Sequence, residues 1–456
     1  MKVCIVGGGI AGLFSALVIK KQSPDVEVTI IEGDSKVGGL LTNLDLNGIP
    51  FDTGVHTFYE TGSRELDDLF FSIVPKGGWK KLSGLKRDVG GIFQNRKLNV
   101  GNSYINFLDL EPNVLKQIQN EFLVHFNEGV EIPEMSAFDH LSNKFGPSIV
   151  NQWLNEFIKK FTGYDAKFVS SAACSILPLG RINLFPYDSH VERIDDVKWN
   201  SRISFPNQRD LPNNLIPVRS AYYPTNYGTQ LYIDAIFSEL RSFGVNFYLE
   251  NKVRGINNSK LYTENGAIVP FDLCLWASHP VGLARVFGNH PAPQTGLEPV
   301  PMNTAVVSYL VKEKPQLEDL YYAYDATPFN ISHRFSSPVN FCENSRIGKN
   351  YRFTNEVVYH SNISESKLLQ ISTRELVSHG VLKESDILVG AASKIIGGYP
   401  NLNLESANSM EVFLTSSMEK IPSNVVPIGI MSKKGLFFQN DILLNAFNLI
   451  RELKIS

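Results

Sequence analysis

The chain opens with MKVCIVGGGIAGLFSALVIKK, residues 1–21, and the reading of this stretch decides the fold. A cation followed by an apolar run resembles an export signal. Gly7, Gly8 and Gly9 interrupt its centre, where a signal helix needs helix-favouring apolar residues. Read instead as strand, turn and helix, Val3 to Val6 is a short apolar strand, Gly7-x-Gly9-x-x-Gly12 is the turn, and Leu13 to Lys20 is a helix. Gly7 then permits the tight turn, Gly9 lets the backbone approach a pyrophosphate, and Gly12 allows close packing of helix on strand. The phosphates would rest on the free N–H groups of the helix.

Such a turn specifies little alone; the test is an acid about twenty residues further on. The stretch VEVTIIEGD (residues 26–34) alternates and then becomes wholly apolar, as a buried strand does, and Glu32 stands at its end. A carboxylate there accepts hydrogen bonds from ribose hydroxyls and disfavours a 2'-phosphate. The segment therefore predicts a dinucleotide whose adenosine carries no such phosphate.

After Glu32 comes GDSKVGGLLTNLDLNGIPFDTGVHTFY (residues 33–59). Its Gly38-Gly39 pair, the hairpin LDLNGIPFD and the strand DTGVHTF resemble the flavoprotein superfamily of amine oxidases, protoporphyrinogen oxidases, phytoene-type desaturases and UDP-galactopyranose mutases. Two distant pieces carry the same resemblance. Asn226 to Ile256 is similar to that superfamily's helix and following strand, with Val253 against the adenine; Asn424 to Phe447 is similar to its closing strand and helix, with Gly429 beside the flavin. The resemblance implies a noncovalently held FAD and an α/β fold: a Rossmann-like FAD-binding domain of glutathione-reductase type, interleaved with a mixed helical and antiparallel-sheet substrate domain.

Composition is compatible with this. With 456 residues, 43% of them hydrophobic, the chain can build two cores. A net charge of -3 gives no general attraction to nucleic acid or anionic membrane. No uninterrupted apolar stretch is long enough for a membrane span. Cys4, Cys174, Cys274 and Cys342 lack CxxC spacing, so neither a disulfide framework nor a zinc site is expected, and the protein reads as reduced and cytoplasmic. Between about 103 and 175 the apolar period is helical: Phe138, Leu141 and Phe145, then Trp153, Phe157 and Phe161, with Ser136 and Asp139 forming a capping box. Strand-like patterns return at 244–277 and again from about 280. The expected division is FAD-binding at 1–80, 220–280 and 421–456, helical substrate domain at 81–219, and substrate-domain sheet at 281–420.

A flavin performs the redox chemistry itself and requires few side chains of the protein. His56 in GVHTF matches a histidine of GAHIF-like segments in the mutases, where the loop lies beside the isoalloxazine; a hydrogen-bonded core histidine is the plainer reading. His279 shares only its position after an apolar strand. FIKKFTGYDAKFVSSAACSILPLGRI (residues 157–182) resembles the mutase segment that gives an arginine to the substrate diphosphate, which designates Arg181, a residue that also suits a helix-end surface. Arg219 and Arg334 are placed near the same cleft by the approximate layout, and Tyr222, Tyr223 and Tyr227 suit stacking on uracil or sugar as well as packing. The match weakens where mutases carry an arginine and a tyrosine for the diphosphate: here stand Gly429-Ile430-Met431 and Phe437-Phe438, with Lys433 and Lys434 as substitutes or as solvated loop residues.

Two reactions follow from the resemblance. One is an FAD-dependent oxidoreductase taking a hydride from a small organic substrate onto flavin N5; the other is a mutase-like isomerisation of a nucleotide sugar by reduced flavin, without net redox change. The lost diphosphate contacts incline the balance to the oxidoreductase. A binding protein merely stabilised by FAD is the non-enzymatic alternative. Substrate, electron acceptor and oligomeric state are not encoded legibly.

Overall fold

A computed structural model describes residues 1–82, 90–128, 136–215, 219–287, 302–395, 403–412, 421–433, 436–453 and 455. The opening segment folds as strand β1 (Lys2–Val6), helix α1 (Ile10–Gln22) and strand β2 (Glu27–Ile31). Among the described residues these strands join three others in a parallel sheet ordered 246–248, β2, β1, 273–276, 425–427. Parallel strands covered on both faces read as continuous apolar runs, and successive side chains divide between two cores. Val3, Ile5, Val28, Ile30, Leu273 and Leu275 enter one core with α1 and helices Gln230–Ser242 and Gln439–Glu452. Cys4, Val6, Ile31, Cys274 and Trp276 enter the other, against the meander that begins at Val253 and the short helix Pro280–Val286. The expected α/β, Rossmann-like architecture is thus present.

Because β1 lies in the middle and the chain extends the sheet first to one side and then to the other, the strand ends open into a crevice where the order reverses. Gly7, Ala277 and Gly429 meet there. A Cβ on Gly7 would lie 3.3 Å from Ser278 N, and one on Gly429 would lie 2.5 Å from Ala277 O.

The helical insertion is broken more often than its period suggests, into helices Pro112–Glu128, Ala137–Phe145 and Asn155–Thr162 among others. Gly146, at φ 97°, and Pro147 cause one break. The capping box of Ser136 and Asp139 is formed, and Leu141, Phe145, Phe157 and Phe161 share one core with Phe107 and Phe122.

The second large sheet runs 387–395, 303–311, 351–359, 332–336, 322–325, 90–94, 97–99. Its last two strands form a hairpin from a stretch expected to open the helical domain. The hairpin joins because Gly90–Gln94 pairs in parallel with Tyr322–Asp325. One face carries Tyr309, Phe335, Phe353 and Val357 into a core with helix Glu365–Ser378. The other face is largely polar: Tyr324 opposes Arg334, Arg334 opposes Glu356, and Ser336 opposes Thr354. Two side chains of this polar face, Arg352 and Glu356, hydrogen-bond the 50–55 backbone. Among the described residues no helix is long and apolar enough to cross a membrane.

His190 is fully buried in the helical domain, its ring 4.4 Å from that of Phe205 and its Nδ1 accepting from Trp199 Nε1 at 3.4 Å. Burial pushes its proton affinity down from 6.5 to about 4. As pH falls below about 6.5 the unfolded chain takes up a proton that the native state refuses until near 4, so this contribution to stability is full above 6.5 and is lost on acidification. Thermal melts between pH 7 and 4.5 are expected to show a shallower decline for His190→Leu than for the native chain; equal slopes would contradict it.

Candidate functional site

The glycines of the first turn differ in what surrounds them. A Cβ on Gly12 would lie 2.0 Å from Gly7 O, so helix and strand touch there through backbone alone. Gly7, at φ 108°, needs the freedom only glycine has. A Cβ on Gly9 would meet nothing within 4 Å, so a cradle stays open above it. Gly9 precedes α1 without a side-chain cap, and the first turn of α1 contains no acid, so its N–H groups and the positive end of its dipole face that cradle. This suits a pyrophosphate.

The second glycine pair completes the cradle. Gly38 N donates to Gly8 O at 2.8 Å, and Gly38, at φ 123°, has no room for a side chain against Thr42 and Ile233. Glu32 stands at the end of β2, where Oε2 accepts from Gly8 N at 2.6 Å and Oε1 from Asp34 N at 2.9 Å. The two bonds orient the carboxylate, and each oxygen keeps acceptor capacity for a ribose hydroxyl. Gly8 is a member that the glycine motif leaves unassigned: a Cβ there would strike Val37 at 2.8 Å and crowd Glu32. Val253 packs partly buried in the core that holds Ile31 and Val6. The residues present therefore fit a dinucleotide.

From Thr42 the chain turns through a hairpin, 44–46 with 49–51, whose Asn47 and Gly48 both have positive φ. It then enters the 52–56 loop. Thr53 Oγ1 donates to Thr42 O at 2.7 Å, tying this loop to the cradle. Asp52 is buried and accepts from Tyr223 Oη and from Thr229 N at 2.9 Å. Its carboxylate thereby serves the start of helix Gln230–Ser242. Burial raises its proton affinity, and the bonds from Tyr223 and Thr229 partly offset this.

His56 is half-buried, with Nε2 3.1 Å from Thr53 O. A carbonyl only accepts, so Nε2 carries the proton and Nδ1 the lone pair in the neutral ring. Burial lowers its proton affinity and Arg334 lowers it further, while Glu356 and the Thr53 carbonyl oppose. Arg334 lies beside the loop and bonds Glu356 in two places, Nε to Oε1 and Nη2 to Oε2, each at 2.9 Å. The guanidinium lies 5.7 and 5.9 Å from the rings of Tyr322 and Tyr324. His56, Arg334, Glu356 and the two tyrosines thus form one wall. Glu356 went unassigned in the sequence because it stands within the strand-like pattern of 351–359, where only pairing reveals the partner.

The other expected residues are dispersed. Arg181 lies over the Tyr104 ring at 5.7 Å, in the helical domain. Tyr227, expected as a stacking residue, is half-buried: its hydroxyl accepts from Asp52 N at 2.9 Å, and its ring lies 4.3 Å from the Arg352 guanidinium. Tyr223 is buried on Asp52. His279 caps the Pro280–Val286 helix, Nδ1 accepting from Val281 N at 3.2 Å, a use that accounts for its place after the strand. Arg219 is exposed, near Gly62. Lys433 follows the Met431 turn, and Lys434 lies outside the described residues.

The two glycines separate holding from folding. Gly9→Val, allowed by a backbone at φ -72°, is expected to give a folded chain that retains less than about a tenth of its dinucleotide, because its side chain occupies the cradle. Gly12→Val is expected to lose about 3 kcal/mol or more of stability. Ligand release on denaturation, with thermal melts, checks both; stoichiometric dinucleotide in Gly9→Val would remove the assignment.

Residues 5–71 match the model of the NAD(P)-binding Rossmann-like domain family. Over 56 residues the chain is 46% identical to an uncharacterized protein in the nifH2 3' region of Methanothermococcus thermolithotrophicus, covering 12% of this chain and 52% of that one. Over 72 residues it is 39% identical to protoporphyrinogen oxidase 2 of Arabidopsis thaliana, covering 15% and 14%. The matches thus span about half or less of these relatives' own length. Among solved structures, reduced UDP-galactopyranose mutase superposes with a TM-score of 0.76 at 17% identity, over 99% of this chain and 95% of the other. A protoporphyrinogen oxidase homologue from Exiguobacterium sp. 255-15 gives 0.68 at 15% identity over 99% and 98%. Wild-type putrescine oxidase bound to putrescine gives 0.59 at 12% over the whole of both chains. By its fold, this chain is similar throughout its length to UDP-galactopyranose mutase, to the protoporphyrinogen oxidase homologue and to putrescine oxidase.

Proposed function

We propose that the chain is an FAD-dependent oxidoreductase of the amine oxidase/protoporphyrinogen oxidase type, acting on a small organic substrate bound between the 53–56 loop and the polar face of the large sheet. Gly7, Gly9, Gly12, Gly38 and Gly39 would hold the pyrophosphate, Glu32 the ribose and Val253 the adenine, with Gly429 at the closing strand. When bound, the flavin supplies two-electron acceptance.

The observation that carries the choice of reaction is the pairing of Arg334. Its fork is bonded to Glu356 in two places beside a histidine that burial keeps neutral. The wall offers a neutral base and an internally balanced ion pair, where a diphosphate would call for cations with open donors. As a substrate H–C–X–H becomes C=X, two electrons leave with the hydride and the X–H proton passes to His56 Nδ1. Tyr322 and Tyr324 shape the sheet side of the site.

The test is the visible spectrum of the purified protein under anaerobic conditions, with amines, alcohols, polyenes and porphyrinogens added, and with nucleotide sugars added before and after dithionite. Bleaching of a flavin band by a member of the first group is expected. The rate should rise with pH through an apparent value below 6.5, because His56 acts when neutral, and His56→Asn should slow bleaching about a hundredfold. Isomerisation of a nucleotide sugar only in the reduced sample would replace this function with the mutase-like one.

A further inference from the structure

We propose that the Arg334–Glu356 pair is the positioning element of the 53–56 loop, gripping the Val55 backbone on both its N–H and its C=O and so fixing where His56 stands. This rests on the oxidoreductase reading only for what His56 does; the grip itself is independent of it. Glu356 Oε1 accepts from Val55 N at 3.0 Å, and Arg334 Nη2 donates to Val55 O at 3.4 Å. Both backbone polar groups of one residue are therefore held by one ion pair, from the side of the sheet. Gly54, at φ 93°, leaves no space between loop and carboxylate: a Cβ there would lie 2.7 Å from Glu356 Cδ and Oε1.

The pair suits this task because it is built into the sheet. Arg334 and Glu356 face each other across adjacent antiparallel strands, so their separation is set by strand pairing. Arg352 lies four residues earlier on the strand of Glu356, on the same face, and its Nε donates to Pro50 O at 2.9 Å. The segment 50–55 is thus tied at both ends to a single rigid strand. Asp52, between the ties, turns the opposite way to serve Thr229. A residue that contacts backbone on one side and an ion partner on the other acts on the site by positioning it.

Hydrogen–deuterium exchange of the holoprotein, read by mass spectrometry, tests the grip without any turnover assay. Peptides covering 52–58 are expected to exchange about tenfold faster in Glu356→Gln and in Arg334→Met than in the native chain, with the Glu365–Ser378 helix unchanged as the control for folding. His56→Asn, which leaves the grip and removes only the ring's bond to Thr53 O, should exchange within about threefold of the native rate. Arg334→Lys, which keeps the cation and loses the fork, should fall between, and serves if Arg334→Met does not fold. Exchange within twofold of native for the folded Glu356 and Arg334 variants would overturn the proposal, whatever the enzyme's reaction. If oxidoreductase turnover is found, kcat should drop about tenfold in Glu356→Gln with KM within about threefold. A rise in KM at unchanged exchange would mean that the pair contacts substrate instead. Failure to find turnover, with faster exchange observed, would remove the reaction and leave the grip.

Discussion

Gly12 presses directly on the Gly7 carbonyl, and the rest of the molecule is arranged around that contact. Helix α1 can lie so close to β1 only because both surfaces are bare backbone. The closeness places the uncapped end of α1 over the strand ends, next to Ala277 and Gly429. It also explains why α1 is buried on every side, from Ala11 to Lys20, between two further helices and the sheet. A helix so enclosed gains its stability from packing rather than from an amphipathic face.

The interleaved course of the chain has a mechanical result. The segment leaving the cradle does not return to its own sheet; it crosses to the second one and is held there by side chains of a strand some 300 residues later. Asp52 and Glu356, two acids far apart in sequence, divide the work. One fastens the loop to the helix behind it and the other to the sheet in front. Charge is balanced locally, since Glu356 faces Arg334 and Asp52 lies near Arg352. Buried acids of this kind are tolerated where donors meet them.

The first 60 residues were legible because local rules govern them: glycines where backbone meets backbone, an acid at a strand end, Asn-Gly in a two-residue hairpin. Their class of ligand followed from the same residues. The partner of Tyr227 was not legible because a side chain's type says what it can bond, while the partner it finds, here Asp52 N, depends on how distant segments meet. Glu356 was invisible for the complementary reason. In a strand of nine residues it is one polar position on one face, and its importance comes from Val55 and Arg334. The hairpin at 90–99 joined a sheet formed mostly by residues 200 positions later, a pairing that no local period encodes.

The four cysteines are buried thiols distributed over three separate cores. Cys4 and Cys274 sit opposite each other on neighbouring strands of the dinucleotide sheet, Cys174 lies in the helical core, and Cys342 lies in a small cluster with Tyr223 and Phe341. The chain thus carries native reporters of its own regional opening. A thiol reagent under mild denaturant would label each part at the rate at which that part breathes, without a single introduced residue.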